Sequence, residues 1–219
     1  MTARRIGIKI CGLTKPADVD ACVRHGADWI GLVFHPASPR YVTPDAAASL
    51  CRAAPSHAAG GPRRVALLVK PDDALVDAVC DILQPDILQL YDAPERITAI
   101  GRRTGLPIWA AIGISEKSDL PRTADTQGLV IEAKAPREAG RPGGNGLTFD
   151  WSILTGWHAP APWLLAGGLT PDNVADALRA SGALAVDVSS GVETAPGEKS
   201  PALIARFIDE ARRHLNPLA

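Results

Sequence analysis

The chain has 219 residues, 46% of them hydrophobic and 21% charged, the balance of an ordinary globular protein and far from that of a disordered one. Its formal net charge of −1 argues against a dedicated basic nucleic-acid binder and a polybasic membrane anchor, and no apolar run reaches the ~18–20 residues of a membrane span. The basic opening, residues 1–5, leads into a stretch too short and too broken for a signal peptide, so a cytoplasmic location is expected. Cys11, Cys22, Cys51 and Cys80 form no Cys-x-x-Cys, and no histidine cluster has metal-ligand spacing. Neither a disulfide framework nor a metal site is expected.

Taken in chain order, short apolar runs at 6–10, 29–34, 64–69, 87–90, 108–112, 129–132, 163–166 and 185–188 read as strands buried on both faces of a parallel sheet. Between them, runs at 16–25, 44–54, 72–83, 93–104, 116–124, 171–181 and 200–214 read as helices, three of them opening near a proline, a good first-turn residue. Residues 135–146 are rich in Pro and Gly and irregular, and 149–154 leave room only for a short helix. Eight strands alternating with about eight helices is the count for one α/β domain over residues 1–219, a single (β/α)8 TIM barrel. An open doubly wound sheet is the structural alternative, since alternation does not prove closure.

A barrel puts its chemistry at the C-terminal ends of its strands and in the loops that follow. Those ends are polar here: Cys11 closes the first strand, Glu132 the sixth, and Asp187 and Ser189 the eighth. Strand alternation puts Lys9 and Cys11 on one face, and Asp187 and Ser189 on one face. If those faces point inward, a thiol and two carboxylates converge on one mouth, a set suited to proton transfer. Cys11 also has a plain packing reading, since free cysteine is commonly buried, and Cys22, Cys51 and Cys80 sit in helical patterns as core residues. Gly167-Gly168 and Ser189-Ser190-Gly191 follow the last two strands, where barrels often bind phosphate and where glycine lets the backbone approach a ligand. Arg40, after the second strand, is suited to clamping a carboxylate through two parallel hydrogen bonds. His35 reads as a surface-loop histidine, and Trp151 and Trp157 as packing of the outer layer.

Five segments in order along the chain carry a resemblance. They are Lys9-Ile10-Cys11-Gly12-Leu13-Thr14; Ser38-Pro39-Arg40-Tyr41-Val42; Gly143-Gly144-Asn145-Gly146 with Phe149-Asp150-Trp151; residues 165–174, beginning Leu165-Ala166-Gly167-Gly168; and Val186-Asp187-Val188-Ser189-Ser190-Gly191-Val192-Glu193. Together they span nearly the whole chain, and the sequence resembles the phosphoribosylanthranilate isomerase family. The resemblance implies a (β/α)8 barrel that carries out an Amadori rearrangement in tryptophan biosynthesis. It implies a small phosphorylated substrate, no metal or organic cofactor, no nucleic-acid or membrane partner, and a monomer or homodimer.

Carried over residue by residue, Cys11 matches the general base, Arg40 the group that holds the anthranilate carboxylate, and Asp187 an acid near the sugar. Gly167, Gly168, Ser189, Ser190 and Gly191 match the phosphate-binding loops. Glu132 stands where the family usually has its general acid as Asp. Tyr91-Asp92 replaces His-Gly, Ala110 replaces a frequent Lys, and Asn145 a common Thr or Ser, all expected near the mouth. Lys9 is expected to help ionise Cys11, and 135–146 to close over the substrate. A paralogue acting on another phosphorylated aminosugar and a non-catalytic binder of a phosphorylated metabolite remain the alternatives.

Overall fold

Strands that are apolar on both faces need cover on both, and a barrel wrapped in helices supplies it. The computed structural model describes residues 5–52, 54–136, 143 and 146–213. In it β1 (Gly7–Cys11), β2 (Trp29–Val33), β3 (Arg63–Val69), β4 (Ile87–Tyr91), β5 (Ile108–Ile114), β6 (Gly128–Ala133), β7 (Trp163–Leu165) and β8 (Ala185–Val188) form a closed barrel. Every pairing is parallel, and β1 pairs with both β2 and β8. Closure rules out the open doubly wound sheet.

Residues of one parity point into the barrel, where Val65, Ile87, Trp109, Val130, Leu164 and Ala166 form a packed core. Trp29 and Trp109 meet edge to face, ring centroids 5.3 Å apart. Glycine makes room for them: a Cβ on Gly128 would lie 2.5 Å from Trp109 Cδ1, and one on Gly7 2.7 Å from Trp29. Residues of the other parity, among them Ile8, Ile10, Leu32, Leu68, Leu88 and Ile131, pack outward against the helices.

The helices are α1 (Pro16–Arg24), α2 (Pro44–Cys51), α3 (Asp73–Leu83), α4 (Pro94–Thr104), α5 (Val174–Ser181) and α6 (Pro201–Arg213). Thr43 Oγ1 caps α2 by accepting from Ala46 N, and Asp72 Oδ1 caps α3 by accepting from Leu75 N. Gly105 and Gly182 end α4 and α5 in the left-handed conformation.

Among the described residues there are six α-helices rather than about eight. The helix expected over 116–124 is a single 3-10 turn, Lys117–Asp119. There the Asp119 carboxylate accepts from the backbone N–H groups of Ser115 and Glu116, and Pro121 has no N–H with which to continue. The helix expected from residue 171 begins at Val174, because the Asn173 side chain accepts from Thr170 N and donates to Gly168 O, holding the preceding turn. Trp151–Leu154 is the short turn expected after β6. An unforeseen antiparallel hairpin, β9 (Glu193–Ala195) and β10 (Glu198–Lys199), follows β8. Most of the expected closing loop 135–146, with Gly144 and Asn145, lies outside the described residues.

Gly128→Ala is expected to destabilise the barrel by about 1–3 kcal/mol, the cost of overpacking a filled core. Urea unfolding of the two proteins measures it.

Candidate active site

At the β1–β8 seam, the Lys9 ammonium donates to both oxygens of Asp187, at 3.0 and 2.9 Å. The lysine is fully buried and its partner nearly so. Burial pulls the Lys9 ammonium down, but Asp187, with a smaller contribution from Cys11, more than reverses this and holds it above its ordinary range. Two residues further along each strand, Ser189 Oγ donates to the Cys11 carbonyl at 3.0 Å. The start of the β8 loop is thus fixed to the end of β1.

Cys11 faces the mouth beside this pair. A Cβ on Gly31 of β2 would lie 2.8 Å from Cys11 Sγ and 3.1 Å from Lys9 Nζ, so the bare glycine leaves room for both groups. Burial raises the Cys11 thiol above its usual range, and the charge of Lys9 only partly offsets this. Lys9 does assist ionisation, but in the free protein it does not overcome burial.

The thiol opens on a cavity of about 800 Å3, measured with its open entrance, which Tyr91, Glu132, Asp187 and Arg40 also line. Inward parity thus brings Cys11, Glu132 and Asp187 together as expected. Tyr91 reaches the same wall, and its hydroxyl and the Glu132 carboxyl border the same point, 2.5 and 2.6 Å from a Cβ built on Gly143. Burial, then the Glu132 carboxylate, hold the phenol well above its ordinary range, so it stays a proton donor.

Arg40 is built into a charged cluster. Its Nε and one terminal nitrogen donate to the two oxygens of Glu193, both at 2.7 Å. Lys199 Nζ donates to Glu193 at 2.5 Å and to the Ser189 carbonyl at 3.0 Å. Glu193 and Lys199 come from the β9–β10 hairpin. Burial opposes ionisation of Glu193, yet Arg40 and Lys199 hold its carboxyl below the usual range. Within the protein, the Nε/Nη2 edge of Arg40 is thus held by Glu193.

Gly167 and Gly168 sit at φ +87° and +63° and, with Ser189 and Ser190, line the side of the cavity fed by β7 and β8. Gly191 has a different part: a Cβ there would lie 1.8 Å from the Leu169 carbonyl oxygen, so it lets the two loops touch rather than lining the cavity. His35, expected on the surface, is half-buried and lines the cavity with Ser38. Ala110 pairs with Leu90 and Leu129 on the outward parity and packs in the outer core, away from the mouth. Trp157 meets Trp163 edge to face in the outer layer. Cys22 and Cys51 are buried core residues and Cys80 packs beside them.

A family described as N-(5'phosphoribosyl)anthranilate (PRA) isomerase matches residues 8–210. The chain belongs to this family. It is 50% identical over 204 residues to the N-(5'-phosphoribosyl)anthranilate isomerase of Acidiphilium cryptum strain JF-5, covering 93% of this chain and 97% of that protein. Its structure is similar to phosphoribosyl anthranilate isomerase from Thermotoga maritima, with a TM-score of 0.81 at 33% identity over 94% of this chain and 98% of the other. A second similar structure is a phosphoribosyl anthranilate isomerase in complex with reduced 1-(o-carboxyphenylamino)-1-deoxyribulose 5-phosphate, with a TM-score of 0.78 at 30% identity over 94% and 98% of the two chains.

Sequence reasoning gives Glu193, Lys199 and Tyr91 no role in the site. Glu193 closes the last of the five matching segments, and its charge opposite Arg40 is the available signal. Lys199 lies in a short hairpin with no apolar periodicity to mark it. Lys9→Met is expected to move Cys11 alkylation to higher pH, because it removes the largest influence that favours the thiolate. It is also expected to cost about 3–5 kcal/mol of stability by stranding the Asp187 charge. Iodoacetamide kinetics in a background without the other cysteines, with urea unfolding alongside, measure both.

Proposed function

We propose that this chain, as one barrel domain over residues 1–219, converts N-(5'-phosphoribosyl)anthranilate to 1-(2-carboxyphenylamino)-1-deoxyribulose 5-phosphate in tryptophan biosynthesis. The observation that carries the proposal is a thiol and a carboxyl on one cavity whose lining also includes a buried arginine and glycine–serine loops. The substrate needs those parts in that arrangement: a carboxylate partner, a phosphate cradle, and an acid–base pair at the sugar between them.

In this reading the carboxyl of Glu132 protonates the ring oxygen. The C1–O bond breaks and the nitrogen lone pair forms C=N. Cys11 thiolate takes the C2 proton, and the C–H electrons form the C1=C2 bond of an enolamine as nitrogen regains its lone pair. Loss of the C2 hydroxyl proton and protonation at C1 then give the ketone. Every step is a proton transfer or a bond shift within the substrate, so the chemistry calls on no metal or organic cofactor. Burial favours the Cys11 thiol at rest; the working form, thiolate with protonated Glu132, differs from the thiol–carboxylate form only in where one proton sits, with no change in net charge.

Asp187, held by Lys9, keeps a fixed negative charge beside the sugar. Arg40, oriented by Glu193, is the cation that pairs with the anthranilate carboxylate. Gly167, Gly168, Ser189 and Ser190 take the phosphate through backbone N–H groups and hydroxyls, with Gly191 setting the loop. All these side chains come from one chain, so a monomer and each half of a homodimer would be equally complete. The small phosphorylated substrate fits a cytoplasmic enzyme, and among the described residues no helix is long and apolar enough to cross a membrane.

Steady-state kinetics on freshly generated substrate test these roles. Glu132→Gln is expected to lower kcat by about 10²–10⁴-fold, the usual worth of a positioned acid, with KM little changed. An unchanged kcat would move the acid to another group. Arg40→Ala is expected to weaken substrate binding by roughly 10–100-fold, the loss of one charge-assisted contact. An unchanged KM would remove it from carboxylate recognition.

A further inference from the structure

We propose that Tyr91 is a positioning residue for Glu132: its phenol holds the longer carboxyl side chain in the place where a shorter acid would otherwise serve. The inference rests on the reading of Glu132 as the general acid.

The barrel register brings the two residues together. Tyr91 ends β4 and Glu132 lies near the end of β6, with β5 between them. Facing inward from β5 at this level are Ala111 and Gly113, and Gly113 is the strand partner of Glu132. Neither is large enough to separate the phenol from the carboxyl. A Cβ built on Gly143 would lie 2.5 Å from the Tyr91 hydroxyl, 2.6 Å from Glu132 Oε1 and 2.9 Å from Oε2. All three oxygens therefore border one point, which sets the phenol beside the carboxyl it would hold by donating a hydrogen bond.

Glutamate carries one more rotatable bond than aspartate, so its carboxyl samples more positions unless something fixes it. A displacement of ~1 Å at a reacting group costs on the order of 100-fold in rate. A rigid aromatic side chain anchored on the neighbouring wall removes that freedom. An imidazole at residue 91 would end short of the phenol oxygen, so Tyr91 and Glu132 form a matched pair: each reaches further than the His and Asp that the family resemblance implies.

Among the described residues, the charged and titratable groups facing this pair are Lys9 and Cys11 from β1, Asp187 from β8, and His35 and Arg40 from the segment after β2. On β5 and β7, Gly113 and Ala166 bring no titrating group. The phenol's donated bond favours ionised Glu132. Removing the phenol therefore moves the Glu132 titration, and the limb of the rate profile that it controls, to higher pH.

The test is Tyr91→Phe in the wild-type and Glu132→Asp backgrounds, with kcat and KM measured against pH and the Glu132 carboxyl carbon titrated by NMR in the wild-type background. In that background the change should lower kcat by roughly 10–100-fold with KM within about twofold. The carboxyl titration should move to higher pH. In the Glu132→Asp background the shorter carboxyl no longer reaches the phenol, and the same change should have far less effect on kcat. An unmoved Glu132 titration overturns the proposal, as does an equal loss of kcat in both backgrounds. The NMR titration reads the contact without turnover, so it stands even if Glu132→Gln shows that another group is the acid.

Discussion

Two opposite charges in the interior of the barrel, Lys9 and Asp187, constrain everything around them. Taking both out of water is expensive, and such a pair seldom adds net stability. What it supplies is position. It spans the seam where the last strand returns to the first, so the sheet closes in the register that brings ammonium to carboxylate at 2.9 Å. With that register fixed, Cys11 emerges two residues above Lys9, and Ser189 two residues above Asp187 ties to the Cys11 backbone. The thiol and the start of the β8 loop are thereby held relative to one another before any ligand arrives.

A second buried charge cluster extends from the same seam. Lys199 bonds both the Ser189 carbonyl and Glu193, and Glu193 holds Arg40. The arginine is thus connected through two salt bridges to the loop after β8. A substrate with a carboxylate at one end and a phosphate at the other would meet an arginine and a loop already fixed relative to each other, which lowers the entropy lost on binding.

Much of this is legible in the sequence, for definite reasons. Strand alternation pairs Lys9 with Cys11 and Asp187 with Ser189 on shared faces, which closure of the barrel turns inward, and eight apolar runs of similar spacing give the barrel count. Lys9 and Asp187, 178 positions apart, carry no local mark of being partners; only closure of the barrel joins them. The 3-10 turn at Lys117–Asp119 reads as a helix because its composition permits one, while the Asp119 side chain captures the N–H groups that would start it. Tyr91 reads, in sequence, as the loss of an imidazole. The contact with Glu132 depends on Gly113 and Ala111 being small on the strand between them, a relation across three strands that no local pattern encodes. Ala110 reads as a change at the mouth, but parity turns it outward.

The central claim is that Cys11 is the base that moves the sugar proton. The most direct test follows the loss of anthranilate-type fluorescence from freshly generated N-(5'-phosphoribosyl)anthranilate with wild-type protein and Cys11→Ala side by side, after phosphate-dependent binding has been shown equal for both. The account predicts rapid conversion by the wild type and a rate lower by at least about 100-fold in the variant, the minimum expected for a positioned base. Equal conversion by the two proteins, or none by folded wild-type protein that binds the substrate, would contradict it.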